Sequence, residues 1–478
     1  MPSSPTALPA AASEPRPRRP ASDVPLRRLG KAELLGGGAA FVAPAFSLAA
    51  IFALLALKGG RYAWVGVVLG TLAVLLTGAC FARMTARHPK AGGAYALVGA
   101  ELSLPVGFIA GWALCLLYLL GPAIPLLLFV TLLEVFVPQT AGALVPIAGA
   151  VAVGVFALNA LGLRPSTRVA LAVFVAEAAI LLGVAAALFL APAAPPPAPP
   201  ASPLDTLIAL GGSGGAAVFL FLGFESVSTY AEEARVPARD IAWGTGATIL
   251  ATAVVYVVCA LAFLHAIPAS QWSASGASLP GAVASVLGAD GGRLVTAVII
   301  VSSLGAMICV QNACARVLFA MGRDRVLPYP MARLFGREKA PWPALAVSAG
   351  VTFGLVWWST VPLGVLSAPP TLLLVLLPEL LVFGALVAYA LLSLAYLVAL
   401  VREGVAGSAP WRLGVPVASL GITSALLVLQ VLPGTAGWRD VLVWGTGWLL
   451  VGFGVWGVTR VLARASPART AGEPSGDS

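Results

Sequence analysis

Two glycine-rich stretches of the sequence each contain a residue that interrupts a helix. Residues 36–47 read GGGAAFVAPAFS and residues 211–226 read GGSGGAAVFLFLGFES, and each stretch belongs to a long apolar run. Pro44 lacks a backbone donor, which frees a carbonyl one turn earlier, and Gly223 lets the backbone unwind. The sequence therefore predicts two helices that are broken near their middle.

The composition places these helices in a membrane. Of the 478 residues, 59% are hydrophobic and only 10% are charged, whereas an ordinary globular chain is about 25% charged. The mean hydropathy of +0.97 agrees, and disordered, fibrous and secreted disulfide-rich proteins are excluded. The five cysteines form no CxxC pair and there are only two histidines. We therefore predict no metal site and no cofactor.

Twelve apolar runs reach or approach the length of about 20 residues that a helix needs to cross a bilayer. We number them as spans 1 to 12, and they cover residues 33–57, 62–86, 104–133, 142–163, 167–191, 206–234, 241–265, 293–320, 343–362, 376–402, 413–432 and 441–463. The strands of a β-barrel would be shorter and would alternate in polarity. The predicted fold class is therefore an all-α integral membrane protein with twelve transmembrane helices.

Charged residues predict the orientation of these spans. All but four of the 28 lysine and arginine residues fall on one predicted side, and the exceptions are Lys58, Arg61, Arg293 and Arg439. Because basic residues concentrate in cytoplasmic loops, we expect both termini in the cytoplasm and the spans in the cytoplasmic membrane. The net charge of +9 then follows from topology, and no nucleic-acid partner is implied.

The two broken spans divide the chain into repeats. Span 1 opens the set of spans 1–5 and span 6 opens spans 6–10, which is typical of inverted repeats around a central site. We predict a transporter core at 31–402 with repeats 31–191 and 206–402, peripheral spans at 413–463, a disordered basic tail at 1–30 and a second tail at 464–478. Half-helix ends offer amides to a carboxylate and carbonyls to a cation or an amine.

Three further blocks of sequence carry a resemblance to a known family. They are residues 221–226 with 232–239, residues 89–95 with 107–112, and residues 312–328. In this order they resemble the amino acid–polyamine–organocation transporters, specifically a bacterial amino acid permease. The resemblance implies secondary active transport of an amino acid or related amine by alternating access, without catalytic residues. One departure is the span 1 break, which reads VAPAF at 42–46 where many members have Gly-x-Gly.

The predicted substrate site lies between the two breaks. Phe46, Phe221 and Phe224 are expected to close over an apolar side chain, and Tyr118 in span 3 either lines the cavity or is an ordinary packed aromatic residue. The full predicted set is Ala43, Pro44, Ala45, Phe46, Tyr118, Phe221, Gly223, Phe224 and Glu225.

Two acids at membrane depth are candidates for proton coupling, because such groups are energetically expensive and usually functional. The resemblance places Glu225 beside the substrate as a gate or proton-sensitive group, and the alternative is a bond to the unwound backbone of span 1. For Glu177 in span 5 the resemblance implies a position next to an ion site, and the alternative is a satisfied structural acid. Because no basic partner of Glu177 is evident, we favour protons over sodium.

Ser302 and Ser303 in span 8 form an alternative sodium site, unless they bond back to their own helix. Glu379 receives no role. An enzyme would need an interior cluster of acid, base and nucleophile, and a sensor would need a soluble signalling domain. The sequence lacks the phosphate-binding loop of ATP-driven proteins. A sodium-coupled symporter, a substrate exchanger and a transporter-like membrane sensor remain as alternatives.

Overall fold

The computed structural model describes residues 30–89, 92–140, 142–162, 167–230, 234–272, 278–336, 340–360, 372–432 and 437–465. Apart from isolated bridge residues, including the pair Phe335 and Ala340, the regular structure of these residues is helical. The predicted tails lie outside the described residues except for Gly30 and residues 464–465.

Sixteen α-helices follow one another in the part of the chain that is described. They are α1 (Lys31–Val42), α2 (Pro44–Gly59), α3 (Ala63–Arg87), α4 (Gly93–Glu101), α5 (Leu104–Cys115), α6 (Ala123–Leu133), α7 (Leu144–Ala160), α8 (Thr167–Phe189), α9 (Pro203–Val218), α10 (Pro237–Ala266), α11 (Ser278–Arg323), α12 (Trp342–Thr360), α13 (Leu377–Arg402), α14 (Val405–Ser408), α15 (Gly414–Gln430) and α16 (Trp438–Ala465).

Proline begins several of these helices. A proline occupies the first or second position of α2, α5, α9, α10 and α13. This position suits proline because the first helical amides lack an intrahelical acceptor and the fixed φ is already helical. Pro44 therefore both ends the hydrogen bonding of α1 and starts α2.

The helices are long and apolar enough to form a membrane bundle. Within the described residues, nine stretches satisfy both criteria by length and composition, and one of them, Lys31–Arg87, covers spans 1 and 2. The other two predicted spans correspond to α7, which is shorter, and to α12. The exact number of twelve crossings stays a prediction. The sequence analysis did not foresee α4 or the part of α11 that precedes a kink at Gly288.

The centre of the bundle is formed by α1 and α2, which pack against α8, α9, α10 and α11. In the most apolar part of Lys31–Arg87, 89% of the residues are buried, against 17% in Trp438–Val461. The first broken helix is therefore central, and α16 is peripheral. Its indole Trp448 donates to the Trp112 carbonyl at 2.8 Å, and Trp112 donates to the Trp448 carbonyl at the same distance.

Two π-helical segments interrupt the long helices. One covers Leu116–Leu120 between α5 and α6, and the other covers Leu372–Leu376 before α13. Such segments shift the side chains by a fraction of a turn and are frequent at functional sites. The first segment carries Tyr118 to the centre of the bundle.

Polar contacts join helices at both ends of the bundle. At the end where α3 finishes, Arg87 pairs with Glu403, and His88 Nε2 lies 2.7 Å from Glu101 Oε1. At the opposite end, Lys58 Nζ lies 2.7 Å from Glu379 Oε1, and both side chains are buried. Both ends of the bundle thus carry ion pairs between separate helices.

Candidate substrate site

The first break lies between α1 and α2. Ala43 adopts a left-handed backbone conformation with φ +46° and ψ +75°, and its amide donates to the Ala39 carbonyl at 2.9 Å. Since Pro44 has no N–H, the Ala40 carbonyl loses the donor that a continuous helix would supply. The first half-helix therefore ends in a carbonyl without its helical donor, close to the point where the second begins.

Side chains from α8 and α11 take the first free amides of α2. Ala45 N–H donates to Glu177 Oε1 across 132 residues of sequence, and Phe46 N–H donates to Ser302 Oγ at 3.1 Å. Ser302 in turn donates its hydroxyl hydrogen to Glu177 Oε1 at 2.6 Å. The carboxyl group of Glu177 thus lies at the positive end of a helix, where a negative charge is stabilised.

The two serines of span 8 have different surroundings. Ser302 bridges Glu177 and α2 instead of bonding back to its own helix. The buried Ser303 Oγ has no hydrogen-bond partner within the described part of the chain.

The second break follows α9. A 3₁₀ turn covers Phe219–Phe221, Gly223 has φ +108°, and a second 3₁₀ segment covers Phe224–Tyr230. A Cβ atom on Gly223 would overlap the ring of Phe41, and a side chain would also be strained at this φ. Glycine is therefore required where α1 touches the break.

Glu225 bonds to its own segment and to two tyrosines. Glu225 Oε2 accepts from Gly223 N–H at 3.0 Å and from the Tyr389 hydroxyl at 3.0 Å, and Oε1 accepts from the Tyr118 hydroxyl at 3.2 Å. The carboxyl group is buried. The sequence analysis weighed a bond to the backbone of span 1, and the structure instead shows bonds to the span 6 backbone, the first π segment and α13.

A small cavity adjoins both breaks. Its volume is about 30 Å³, and its lining is formed by Phe41, Val42, Phe46, Ser47, Leu117, Gly121, Pro125, Phe219, Leu222, Val310 and Leu381. This volume admits one or two water molecules but is far below the roughly 300–1,000 Å³ of a typical ligand pocket. The site between the breaks is therefore closed around a space too small for an amino acid.

The structure brings some of the predicted residues to this cavity and not others. Phe46 lines it, whereas Phe221 packs edge-on against Tyr256 at 5.2 Å and Phe224 packs against Phe81 at 5.8 Å. Tyr118 packs edge-on against Phe41 and bonds to Glu225 without lining the cavity. Phe219, which begins the 3₁₀ turn, and Leu222, which follows the turn, also line the cavity.

Lys58 and Glu379 form a further contact that the sequence analysis missed. Lys58 lies near the end of α2, Glu379 lies in the first turn of α13, and Gln430 Nε2 donates to Glu379 Oε2 at 3.1 Å. The sequence signals were a lysine directly after span 1 and a glutamate inside span 10. With this pair at one end and Glu177 at the other, α2 is held at both ends by acids from other helices.

A helical membrane bundle with two helices broken near its centre, each break bonded by a buried carboxyl group, defines the class of a secondary membrane transporter. The sequence profile of the family described as amino acid permease matches residues 34–455. The chain belongs to this family.

Individual relatives agree with that assignment. The chain is 27% identical to the branched-chain amino acid permease BcaP of Bacillus subtilis, over 83% of this chain and 85% of that protein. It is 26% identical to the low-affinity putrescine importer PlaP of Escherichia coli, over 68% of this chain and 70% of that protein. Both are transporters.

A solved structure shares the fold. The manganese transporter of Eremococcus coleocola superposes with a TM-score of 0.56 at 14% identity, covering 93% of this chain and 99% of that chain. The predicted family, the all-α membrane fold and the assignment to transporters instead of enzymes are confirmed.

Proposed function

We propose that this permease is a secondary active transporter that moves an amino acid or related amine across the cytoplasmic membrane by alternating access, driven by protons. Both termini lie in the cytoplasm. The observation that carries the proposal is the pair of α2 amides, Ala45 and Phe46, that Glu177 and Ser302 occupy at the central break. The names of BcaP and PlaP support an amino acid or an amine as the substrate.

The first break provides ends of opposite polarity for an amino acid. The carbonyl of Ala40 has lost its helical donor to Pro44 and attracts an ammonium group. The amides of Ala45 and Phe46 lie at the positive end of α2 and attract a carboxylate. Transport begins when the substrate carboxylate replaces Glu177 and Ser302 at these amides.

This replacement couples substrate binding to a proton. The substrate carboxylate and the carboxylate of Glu177 compete for the Ala45 amide, which accommodates only one of them well. A protonated Glu177 is a weaker acceptor than a carboxylate and gives up the amide more readily. Protonation of Glu177 and binding of substrate at the break therefore favour each other, and this reciprocity is the basis of symport.

Sodium is the second candidate for the coupling ion. Ser303 Oγ is buried without a partner among the residues described, and Ser302 and Glu177 lie within hydrogen-bond distance of each other. These oxygens are suitable ligands for a hard cation. We favour the proton because an ionised Glu177 would be left without a counter-charge each time sodium departed.

Proteoliposomes test the proposal with a labelled mixture of amino acids and diamines. A pH gradient without sodium should drive accumulation, and a sodium gradient at equal pH should not. Glu177→Gln should abolish accumulation while exchange of labelled for unlabelled substrate persists, because glutamine resembles the protonated acid. Glu134→Gln, the same change near the end of α6, is the matched control and should keep accumulation. Accumulation driven by sodium alone would overturn the proton assignment.

A further inference from the structure

The side chains around the central cavity are almost entirely apolar. Phe41 and Phe46 come from the first broken span, Phe219 and Leu222 from the second, and Val310 from α11. The single polar side chain among the described lining residues is Ser47, whose hydroxyl already donates to the Val42 carbonyl at 2.7 Å. A substrate side chain that enters this space meets hydrocarbon.

The two nearby acidic residues, Glu177 and Glu225, do not contribute a carboxylate to the lining of the cavity. Neither Glu177 nor Glu225 is among the residues that line the cavity. Both carboxylate oxygens of Glu225 accept hydrogen bonds, from the Gly223 amide and from the hydroxyls of Tyr118 and Tyr389. Glu177 faces the α2 amides and Ser302. A cationic side chain in the cavity would therefore have no carboxylate partner within the described part of the site.

From this arrangement we infer that the site takes neutral α-amino acids with apolar side chains and excludes amino acids with cationic side chains and diamines. The inference rests on the proposed function and names the substrate class of the same site. The ammonium and carboxylate groups of the substrate bind at the first break, and the side chain enters the apolar cavity as it widens. A diamine has no carboxylate for the α2 amides.

The energetic difference between these classes is large. Burying an ammonium group without a counter-charge carries a penalty large enough to weaken binding by about 100-fold or more. Each buried CH₂ group of an apolar side chain should instead strengthen binding about four-fold, until the cavity is full. The charge of the substrate side chain therefore affects binding more strongly than its length does.

Norleucine and lysine provide a matched pair for the test, since both carry an unbranched four-carbon chain and lysine adds one ammonium group. The wild-type protein in proteoliposomes receives labelled norleucine, lysine, leucine or putrescine. We expect uptake of norleucine and leucine, with lysine and putrescine at least about 100-fold weaker as substrates and as competitors. Alanine, 2-aminobutyrate and norvaline should compete progressively better.

The outcomes separate this inference from the proposed function. Uptake of lysine or putrescine as effective as that of norleucine overturns the substrate class and leaves the transporter assignment intact. Uptake of none of these four compounds overturns the substrate class, and the proposed function falls with it only if the labelled mixture of amino acids and diamines is not accumulated either.

Two variants of the cavity lining test whether a carboxylate there changes the preference between lysine and norleucine. Val310→Asp and Val310→Asn have nearly the same shape and differ in the carboxylate. We expect the aspartate variant to raise the ratio of lysine uptake to norleucine uptake at least about ten-fold over the asparagine variant, because opposite charges attract strongly in a low-dielectric site. Equal ratios in the two variants would show that Val310 does not face the substrate side chain and would overturn the inference.

Discussion

The breaks in the two repeats use the same kind of group in different ways. At the first break the carboxyl group of Glu177 comes from another helix. It accepts a hydrogen bond from the amide of Ala45, 132 residues away in the sequence. At the second break the carboxyl group of Glu225 accepts a hydrogen bond from the amide of Gly223, two residues earlier in the same segment. The backbone bond of Glu177 therefore joins separate elements, whereas the backbone bond of Glu225 stays within one segment, and Glu225 reaches other elements through the hydroxyls of Tyr118 and Tyr389.

This difference indicates which break responds to substrate. A bond within one segment moves with that segment and can persist through a rigid-body movement. A bond between α8 and α2 is broken when those helices separate or when a ligand takes the amide. We therefore expect Glu177 to report the transport cycle and Glu225 to fix the shape of its turn.

The largest effect on uptake is expected from Gly223→Ala. Its methyl group would overlap the Phe41 ring, and the φ of +108° disfavours any side chain, at about 1–3 kcal/mol for the backbone alone. We expect uptake to be lost and the apparent melting temperature of the purified protein to fall. The Gly223→Leu variant should fail for the same reason, so that its loss of uptake alone would not locate the substrate.

Gly215→Ala is the matched control, because a Cβ atom there meets no atom within 4 Å and alanine favours a helix. Uptake by this variant should equal that of the wild type. A Gly223→Ala protein with normal uptake and stability would contradict the close approach of α1 to the second break.

The second prediction concerns the stability contributed by the ion pair at the C-terminal end of α2. Lys58→Met would leave the buried Glu379 without its cation, and breaking such a pair destabilises a protein by about 3–5 kcal/mol. We expect a lower apparent melting temperature in thermal unfolding of the purified protein. If both ends of α2 hold the closed state, the same variant should also expose a cysteine introduced into the cavity wall, such as Val310→Cys, to thiol reagents.

The double variant Lys58→Met with Glu379→Leu provides the control. The side-chain amide of Gln430 donates to the backbone carbonyl of Glu379 at 2.8 Å, and this bond does not depend on the Glu379 side chain. Replacing a whole buried ion pair by apolar residues is often nearly neutral for stability. The double variant should therefore be more stable than Lys58→Met alone. Equal destabilisation in both variants would mean that packing, not charge, explains the effect.

The sequence was sufficient to locate the breaks and the family. Pro44 and Gly223 act through the backbone, and their effect on a helix depends little on distant residues. The sequence analysis placed Glu177 next to an ion site and named Ser302 in an alternative sodium site, but it did not predict the hydrogen bond between them.

The orientation of the aromatic residues was not predictable in the same way. The chain changes from α-helix to 3₁₀ turn at Phe219, and this change alters the period with which side chains face the cavity. Phe221 packs against Tyr256 and does not line the small cavity in this structure, so its role in the substrate site stays a prediction. The Lys58–Glu379 pair joins residues 321 positions apart, and no local pattern encodes that contact.

The smallest effect is expected from Glu225→Gln, and it tests the comparison of the breaks most directly. Glutamine keeps one acceptor oxygen for Gly223, and its amino group can donate to a tyrosine hydroxyl, which both donates and accepts. A loss of about 1 kcal/mol corresponds to an uptake rate about five-fold lower. Because a local bond does not exchange with substrate, the dependence of uptake on pH should stay that of the wild type.

Uptake measured against pH for wild type, Glu177→Gln and Glu225→Gln therefore distinguishes two assignments of the coupling proton. If protonation of Glu177 releases the Ala45 amide, the Glu177 variant loses the pH dependence and the Glu225 variant keeps it. If Glu225 exchanges the proton instead, its variant gives the flat profile, and the bonds from Tyr118 and Tyr389 must then open during transport. Tyr389→Phe, which removes one donor and leaves the ring, should in that case shift the pH profile, whereas a local cap predicts a lower rate without a shift.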